Sequence, residues 1–284
     1  KINNLEDGKN RKDTLPSGFI RIEKNLPEHG LKTYVGLGYV ERIPDFWELY
    51  STSTDRGVGS TDMMGMTTYR MLDNLDNLKT ERTAQLDLGF QAEHGAWSAW
   101  ASAYAGLIKD FILLEYNTPT MRQPLARNVD ATIAGAEAGL GYQFTDHFQA
   151  DISTMYAWGE NTSDHRALAQ IAPLEGRLNL RYVDEKYSLG LLWRAVAKQN
   201  RISLNEGNVV GYDMNESKAF NTLAVNGTYR LTDAVDVSVG IDNLLDKAYT
   251  EHLNKAGAST FGYAASEQFD NIGRNYWMRM SMKF

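Results

Sequence analysis

The chain has 284 residues, with 29 Lys and Arg against 36 Asp and Glu, a net charge of −7 and no cysteine. That acidic balance leaves no cation excess to neutralise phosphates and argues against nucleic-acid binding. The missing thiols exclude disulfide staples, cysteine nucleophiles and cysteine-based zinc sites.

No run of about 18 apolar residues is present, so no transmembrane helix is expected. A β-barrel escapes that test, because its lipid face occupies only every second position. The opening "KINNLEDGKNRKDTLPSGF" has no apolar core and reads as a polar loop rather than a signal peptide. Alternating segments then recur, each about the 9–11 residues a tilted strand needs to cross a bilayer. The first spans 17–26 and the second 31–43, joined by "PEHG". In the second, Val35, Leu37 and Tyr39 share one face and Tyr34, Gly36 and Gly38 the other. "ERTAQLDLGFQAE" opposes Ala84, Leu86, Leu88 and Phe90 to Thr83, Gln85, Asp87 and Gly89, and "HGAWSAWASAYAGLI" returns beside it. Strands at 129–144 and 148–158 flank "TDH". "RLNLRYV" and "YSLGLLWRAVA" flank "DEK", and "TLAVNGTYRL" and "VDVSVGIDNLL" flank "TDAVD". The chain closes on "NYWMRMSMKF", where Tyr276, Met278, Met280, Met282 and Phe284 alternate with Trp277, Arg279, Ser281 and Lys283. The count is about eleven strands with no convincing helix.

Connection length carries the strongest signal. Short turns alternate with long polar loops near 44–80, 109–128, 159–175, 198–218 and 247–273, the habit of outer-membrane barrels. The expected fold is therefore all-β, a transmembrane antiparallel β-barrel. In it the methionine stripe of the last strand meets lipid. Strand-end Tyr and Trp form interfacial girdles. Arg177, Arg181, Arg194, Arg230 and Arg279, with Asp87, Glu137, Asp151 and Asp242, line a wet lumen. Single-chain bacterial barrels have an even strand number and begin in the periplasm. Eleven strands ending there fit the C-terminal half of a barrel of about 22, the size of plugged transporters.

Several segments resemble TonB-dependent outer-membrane receptors. "LKTYVGLGYVERIPDFWELY" is similar to the strand that enters a long loop in that family, and "LKTERTAQLDLGFQ" to a later strand start. "VGIDNLLDKAYTEHLN" resembles the family's late segment through Asn243, Leu244, Asp246, Lys247 and Tyr249, and "GRNYWMRMSMKF" its terminal strand. "DNLLDKAYTEHLN", "GNVVGYDMNES" and "RIPDFWELYS" together resemble the copper-receptor branch. The resemblance implies residues 1–284 to be barrel only, with the plug domain outside this chain. It implies copper uptake across a Gram-negative outer membrane, energised by TonB–ExbB–ExbD through the plug. It further implies contact with lipid and lipopolysaccharide, and recognition of the terminal strand by the assembly machinery. An iron–siderophore receptor is the alternative, kept open by Tyr69, Phe261 and Tyr263. A passive pore or adhesion barrel stands further off.

The first long loop holds Met63, Met64, Met66 and Met71. Thioethers are soft, neutral donors that select Cu(I) over harder ions, so these four are the candidate metal ligands, although methionine also serves as adaptable packing. His29, His94 and His147 fall in short turns, and His165 and His252 in or beside long loops; surface status is expected for all five. Asp62, Asp73 and Asp76 do not fit an EF-hand loop. No G-x-S-x-G or H-E-x-x-H motif occurs, so no enzyme and no resident cofactor is expected, the copper ion being cargo.

Overall fold

The computed structural model describes residues 11–49, 60–61, 67–68, 78–116, 125–255, 264 and 267–284. Eleven strands follow one another as β1 Gly18–Leu26, β2 Leu31–Arg42, β3 Glu81–His94, β4 Trp97–Glu115, β5 Leu125–Gln143, β6 Phe148–Asn161, β7 Glu175–Val183, β8 Tyr187–Val196, β9 Phe220–Thr232, β10 Val235–Asp242 and β11 Asn275–Met282. Each pairs antiparallel with its sequence neighbours in one continuous sheet, which the two-residue strands Arg166–Ala167 and Glu206–Gly207 join off this path and whose edges, β1 and β11, do not meet each other. Five short turns alternate with five long connections, so every long connection leaves the same end.

The register explains the alternation. Ile22 lies opposite Val35, Val35 opposite Leu88, Leu88 opposite Ala103 and Ala103 opposite Ala136. Further round, Ile152 meets Leu178, Leu178 meets Trp193 and Trp193 meets Leu223. Val237 and Val239 then meet Met280 and Met278. One face is thus apolar across all eleven strands, as a lipid-facing surface must be. The opposite face carries all nine charged residues expected in the lumen: Arg177 pairs in register with Ser153 and Arg194, Asp242 with Asn275, and Arg279 with Ser238.

Lumenal aromatic rings lie over glycines on the neighbouring strand. A Cβ on Gly139 would sit 2.3 Å from Trp100 Nε1, and one on Gly135 2.5 Å from the Tyr104 ring. Gly240 stands likewise under Trp277. Glycine here makes room for the ring, which in turn covers backbone that a side chain would otherwise shield. Gly30 serves a different purpose in the first turn: its φ is 58° and its Cβ position falls 2.0 Å from the Glu93 carbonyl oxygen, so both backbone hand and space demand glycine.

The short-turn rim of the apolar face is aromatic. Trp97 and Tyr142 lie 4.3 Å apart, Tyr142 and Phe144 4.7 Å, Phe144 and Phe148 5.3 Å, and Tyr182 and Tyr187 5.8 Å between ring centres. Trp97, Tyr142, Tyr182 and Tyr187 are amphipathic rings of the kind that sit at an interface, with Phe144 and Phe148 packed between them, whereas Tyr104 lies on the lumenal face.

Two expectations need correction. The connection read as 109–128 is much shorter, because β4 runs on to Glu115 and β5 starts at Leu125. A bulge between Ile108 and Phe111, with Asp110 at φ 56°, breaks the alternation there. Beyond it Ile112, Leu113 and Leu114 are all buried, so the segment reads as a continuous apolar run rather than a period of two. A helical turn also exists at Phe46–Leu49. Asp45 Oδ1 accepts from the Glu48 N–H at 2.9 Å while Glu48 Oε2 accepts from the Asp45 N–H at 2.7 Å. That reciprocal pair is a capping box, hidden in "PDFWE" by the shortness of the helix.

Candidate functional site

The long-loop end is where the polar chemistry concentrates. Asp213, 1% exposed, is its hub. Its Oδ1 accepts from the Gln170 N–H at 2.9 Å and from Gln170 Nε2 at 3.1 Å, and its Oδ2 accepts from the Ser203 N–H at 2.9 Å. The Ser203 hydroxyl donates to Glu206 at 2.7 Å. Three connections meet here, because His252 from the last loop lies with Nε2 3.4 Å from Asp213 Oδ1. The geometry of that contact does not make a hydrogen bond, and both ring nitrogens are buried without one. Burial works to raise the Asp213 carboxyl, but the His252 imidazole and the Ser203 and Gln170 donors outweigh it and hold it below its usual value.

A second group surrounds Arg127 on β5. It binds Glu115 and Asp164, and Arg166 bridges Asp164 and Glu206. Arg127 foremost, then Arg166 and Asn161, hold the Asp164 carboxyl at about 2 against the opposing effect of burial. Tyr116 stacks on Tyr212 with centroids 4.4 Å apart and donates to the Asn208 carbonyl at 2.6 Å. Burial, with Tyr212 beside it, pushes its phenol up to about 12. Two apolar clusters underlie these networks, one around Leu78, Ile112, Leu114 and Ala126, the other around Ile108, Ala131 and Leu168.

Lumen and loop are tied together at Arg194. Its guanidinium binds Glu175 at 2.6 Å and Glu251 at 2.5 Å, and its carbon lies 5.4 Å from the centre of the Phe220 ring. Tyr249 packs against that same Phe220, its ring tilted by 32° with centroids 4.4 Å apart. Residues 249–252 are thereby fixed at three successive anchor points, on Phe220, Arg194 and Asp213.

The family-like segments acquire a physical role. Arg42 holds Glu48 through two hydrogen bonds of 2.9 and 3.1 Å and reaches Glu81 at 3.0 Å, tying the capped turn to the start of β3. Asn243, at φ 48°, donates to the Lys247 carbonyl and accepts from the Lys247 N–H, each at 2.9 Å. Asp246 accepts from the Arg274 N–H at 2.8 Å. "DNLLDK" is thus the turn that lets β10 leave the sheet and fixes where β11 enters.

The candidate ligands Met63, Met64, Met66 and Met71 lie outside the described residues, as do Tyr69, Phe261 and Tyr263. The backbone of Ser60–Thr61 pairs antiparallel with Thr67–Thr68, which places three of the four methionines in sequence between two short paired segments. Met278, Met280 and Met282 face the apolar side, as expected. His29, His94, His147 and His165 are exposed. His252 is not: at 2% exposure it contradicts the surface status expected of it. Its partner Asp213 stands 39 residues away in sequence on another loop, and no local spacing signals such a pair. Among the described residues no group of three or more His, Asp or Glu could hold a metal ion.

No curated protein matches the chain. Among solved structures, the chain is 45% identical to one titled copper transporter OprC, with a TM-score of 0.88 over 96% of this chain and 41% of that one. The FrpB iron transporter from Neisseria meningitidis is 17% identical with a TM-score of 0.63, covering 94% of this chain and 39% of that one. A mutant of the ferric enterobactin receptor PfeA from Pseudomonas aeruginosa is 20% identical with a TM-score of 0.67, covering 95% and 40%. These last two share the fold. The chain spans about two fifths of each of these structures. The family model described as TonB dependent receptor-like, beta-barrel matches residues 4–244, and the chain belongs to that family.

Proposed function

We propose that this chain is barrel wall and loops of an outer-membrane receptor that takes up copper, energised by TonB, ExbB and ExbD. The 45% identity over nearly the whole chain to a protein titled as a copper transporter carries the reading. The iron receptors are far less similar in sequence. The plug that engages TonB is taken to lie outside this chain, held against the lumenal wall of Arg177, Arg181, Asp151 and Glu137 by contacts water can replace. The wall itself performs no covalent chemistry.

Met63, Met64, Met66 and Met71 supply the soft donors of capture in this reading. Thioethers bind Cu(I) without a proton being lost, so capture by them is insensitive to pH, unlike capture by thiolate or imidazole. The test is metal content by mass spectrometry of the intact receptor purified from membranes grown with added copper. We expect about one copper per receptor, lowered when Met63, Met64 and Met66 are all changed to Ser. Copper retained by that variant would move the capture site off this loop. Iron in place of copper would overturn the substrate.

A further inference from the structure

The lumenal wall carries a recess of about 450 Å³ reaching from β4 to β9, lined among others by Trp100, Asp151, Ser153, Arg177, Asn179 and Asn226. Register makes it continuous: Ser98 lies opposite Gly141, Gly141 opposite Asp151, and Asp151 opposite Asn179. Arg177 is the one cation in that lining and Asp151 the one acid. Asp151 accepts from Gln149 at 2.9 Å, and among the described residues it is paired with no cation. One cation and one acid side by side suit a partner that presents an acid next to a base.

Arg177 also belongs to a chain of shared carboxylates that ends in the last loop. Its Nε donates to Glu175 Oε1 at 2.5 Å, while its side chain stays 54% exposed to the lumen. Glu175 is buried, and its Oε2 accepts from Arg194 Nη2 at 2.6 Å. The same Nη2 donates to Glu251 Oε2 at 3.2 Å, and Nη1 holds the other Glu251 oxygen. Arg194 therefore divides one nitrogen between two carboxylates, yet its Nε is buried without a partner. An idle buried donor is costly. The acceptor that would suit it is Glu175 Oε1, the oxygen Arg177 occupies. With Arg177 gone, Glu175 can take Arg194 side-on through Nε and Nη2, the fork that carboxylates favour. Nη2 then leaves Glu251, and the last loop keeps one bond to Arg194 where it had two.

We propose that the recess is a docking seat whose occupancy the last loop reads. An acid on the lumenal plug that enters it draws Arg177 off Glu175, Arg194 turns to Glu175, and residues 249–252 loosen at the long-loop end. Arg177, Glu175 and Arg194 are positioning residues in this device. It rests on the plugged-barrel reading above and not on copper.

The experiment is hydrogen exchange, read by mass spectrometry, on the whole receptor in detergent. Wild type is compared with Arg177→Met, Glu175→Gln, the double variant, and Arg230→Met, a lumenal arginine near the opposite rim. Folding is checked by heat-modifiable gel mobility, and Arg194→Lys, a cation without the fork, replaces Glu175→Gln as background if the latter misfolds. We expect Arg177→Met to speed exchange in residues 249–254 at least about threefold, the loss of roughly one hydrogen bond, and Arg230→Met to leave it unchanged. On the Glu175→Gln or Arg194→Lys background Arg177→Met should add nothing, which a merely local role for Arg177 would not produce. By reciprocity, Glu251→Gln should change exchange in the plug segment that faces the recess. No change at 249–254 in Arg177→Met, an equal change on both backgrounds, or no plug segment responding to Glu251→Gln would overturn the proposal. The mass of the intact receptor reports separately whether a plug is present, and its copper content whether copper is the cargo.

Discussion

The strand wall and the long-loop end solve the problem of polar groups in opposite ways. In the wall, away from its edges and its bulge, the ladder pairs the backbone and side chains alternate between an apolar and a polar face. At the loop end the backbone is irregular, and buried side chains take over its hydrogen bonds: Asp213 alone accepts backbone N–H groups from two loops. The wall therefore tolerates substitution according to face and depth, while the loop end depends on a few charged residues with multiple donors aimed at them. Buried charge of this kind is costly to leave half-paired.

The largest effect should come from the hub. Asp213→Ala strands the Gln170 and Ser203 N–H donors, and removing one partner of a buried charged network costs about 3–5 kcal/mol. Hydrogen exchange should show residues 198–217 and 168–172 losing protection while the strands keep theirs. Uniform loss across wall and loops would show the two regions to be one cooperative unit. Next comes the wall: Val239→Arg, on the apolar face, should cost about 2–4 kcal/mol if it lies near the bilayer midplane. Asn226→Arg, on the lumenal face, should cost far less by folding titration in lipid. Equal costs would contradict the assignment of faces. Gly139→Val should be milder, about 1–3 kcal/mol, because Trp100 must leave its seat.

Acid provides a finer contrast. Asp164 is held at about 2, below the usual carboxylate value of 3.8. Its stabilising contribution is therefore full above the unfolded value and is lost as pH falls from there through about 2. Asp213, lowered in the same direction, reinforces it. Protease resistance of the loops should persist down to about pH 4 and decline below that. Decline already at pH 6 would place control in some other group.

The wall was legible because a period of two survives in sequence wherever one face is apolar and the other wet. Its strand count, its alternation of turn and loop, and all nine lumenal charges follow from that pattern. Legibility failed where alternation stops. "FILLEY" is buried on both sides, so β4 could not be followed past its bulge at Asp110, and a four-residue helix is too short to show periodicity. His252 and Asp213 were missed as a pair because a contact between two loops leaves no local spacing. The methionines were read from chemistry alone, and the described residues do not include them.

Copper accumulation by cells tests the proposed TonB-driven uptake most directly. Cells expressing the whole receptor should accumulate copper above receptor-free cells at limiting external copper, and that excess should vanish when TonB is absent. Equal accumulation with and without TonB, or no excess over receptor-free cells, would contradict the account.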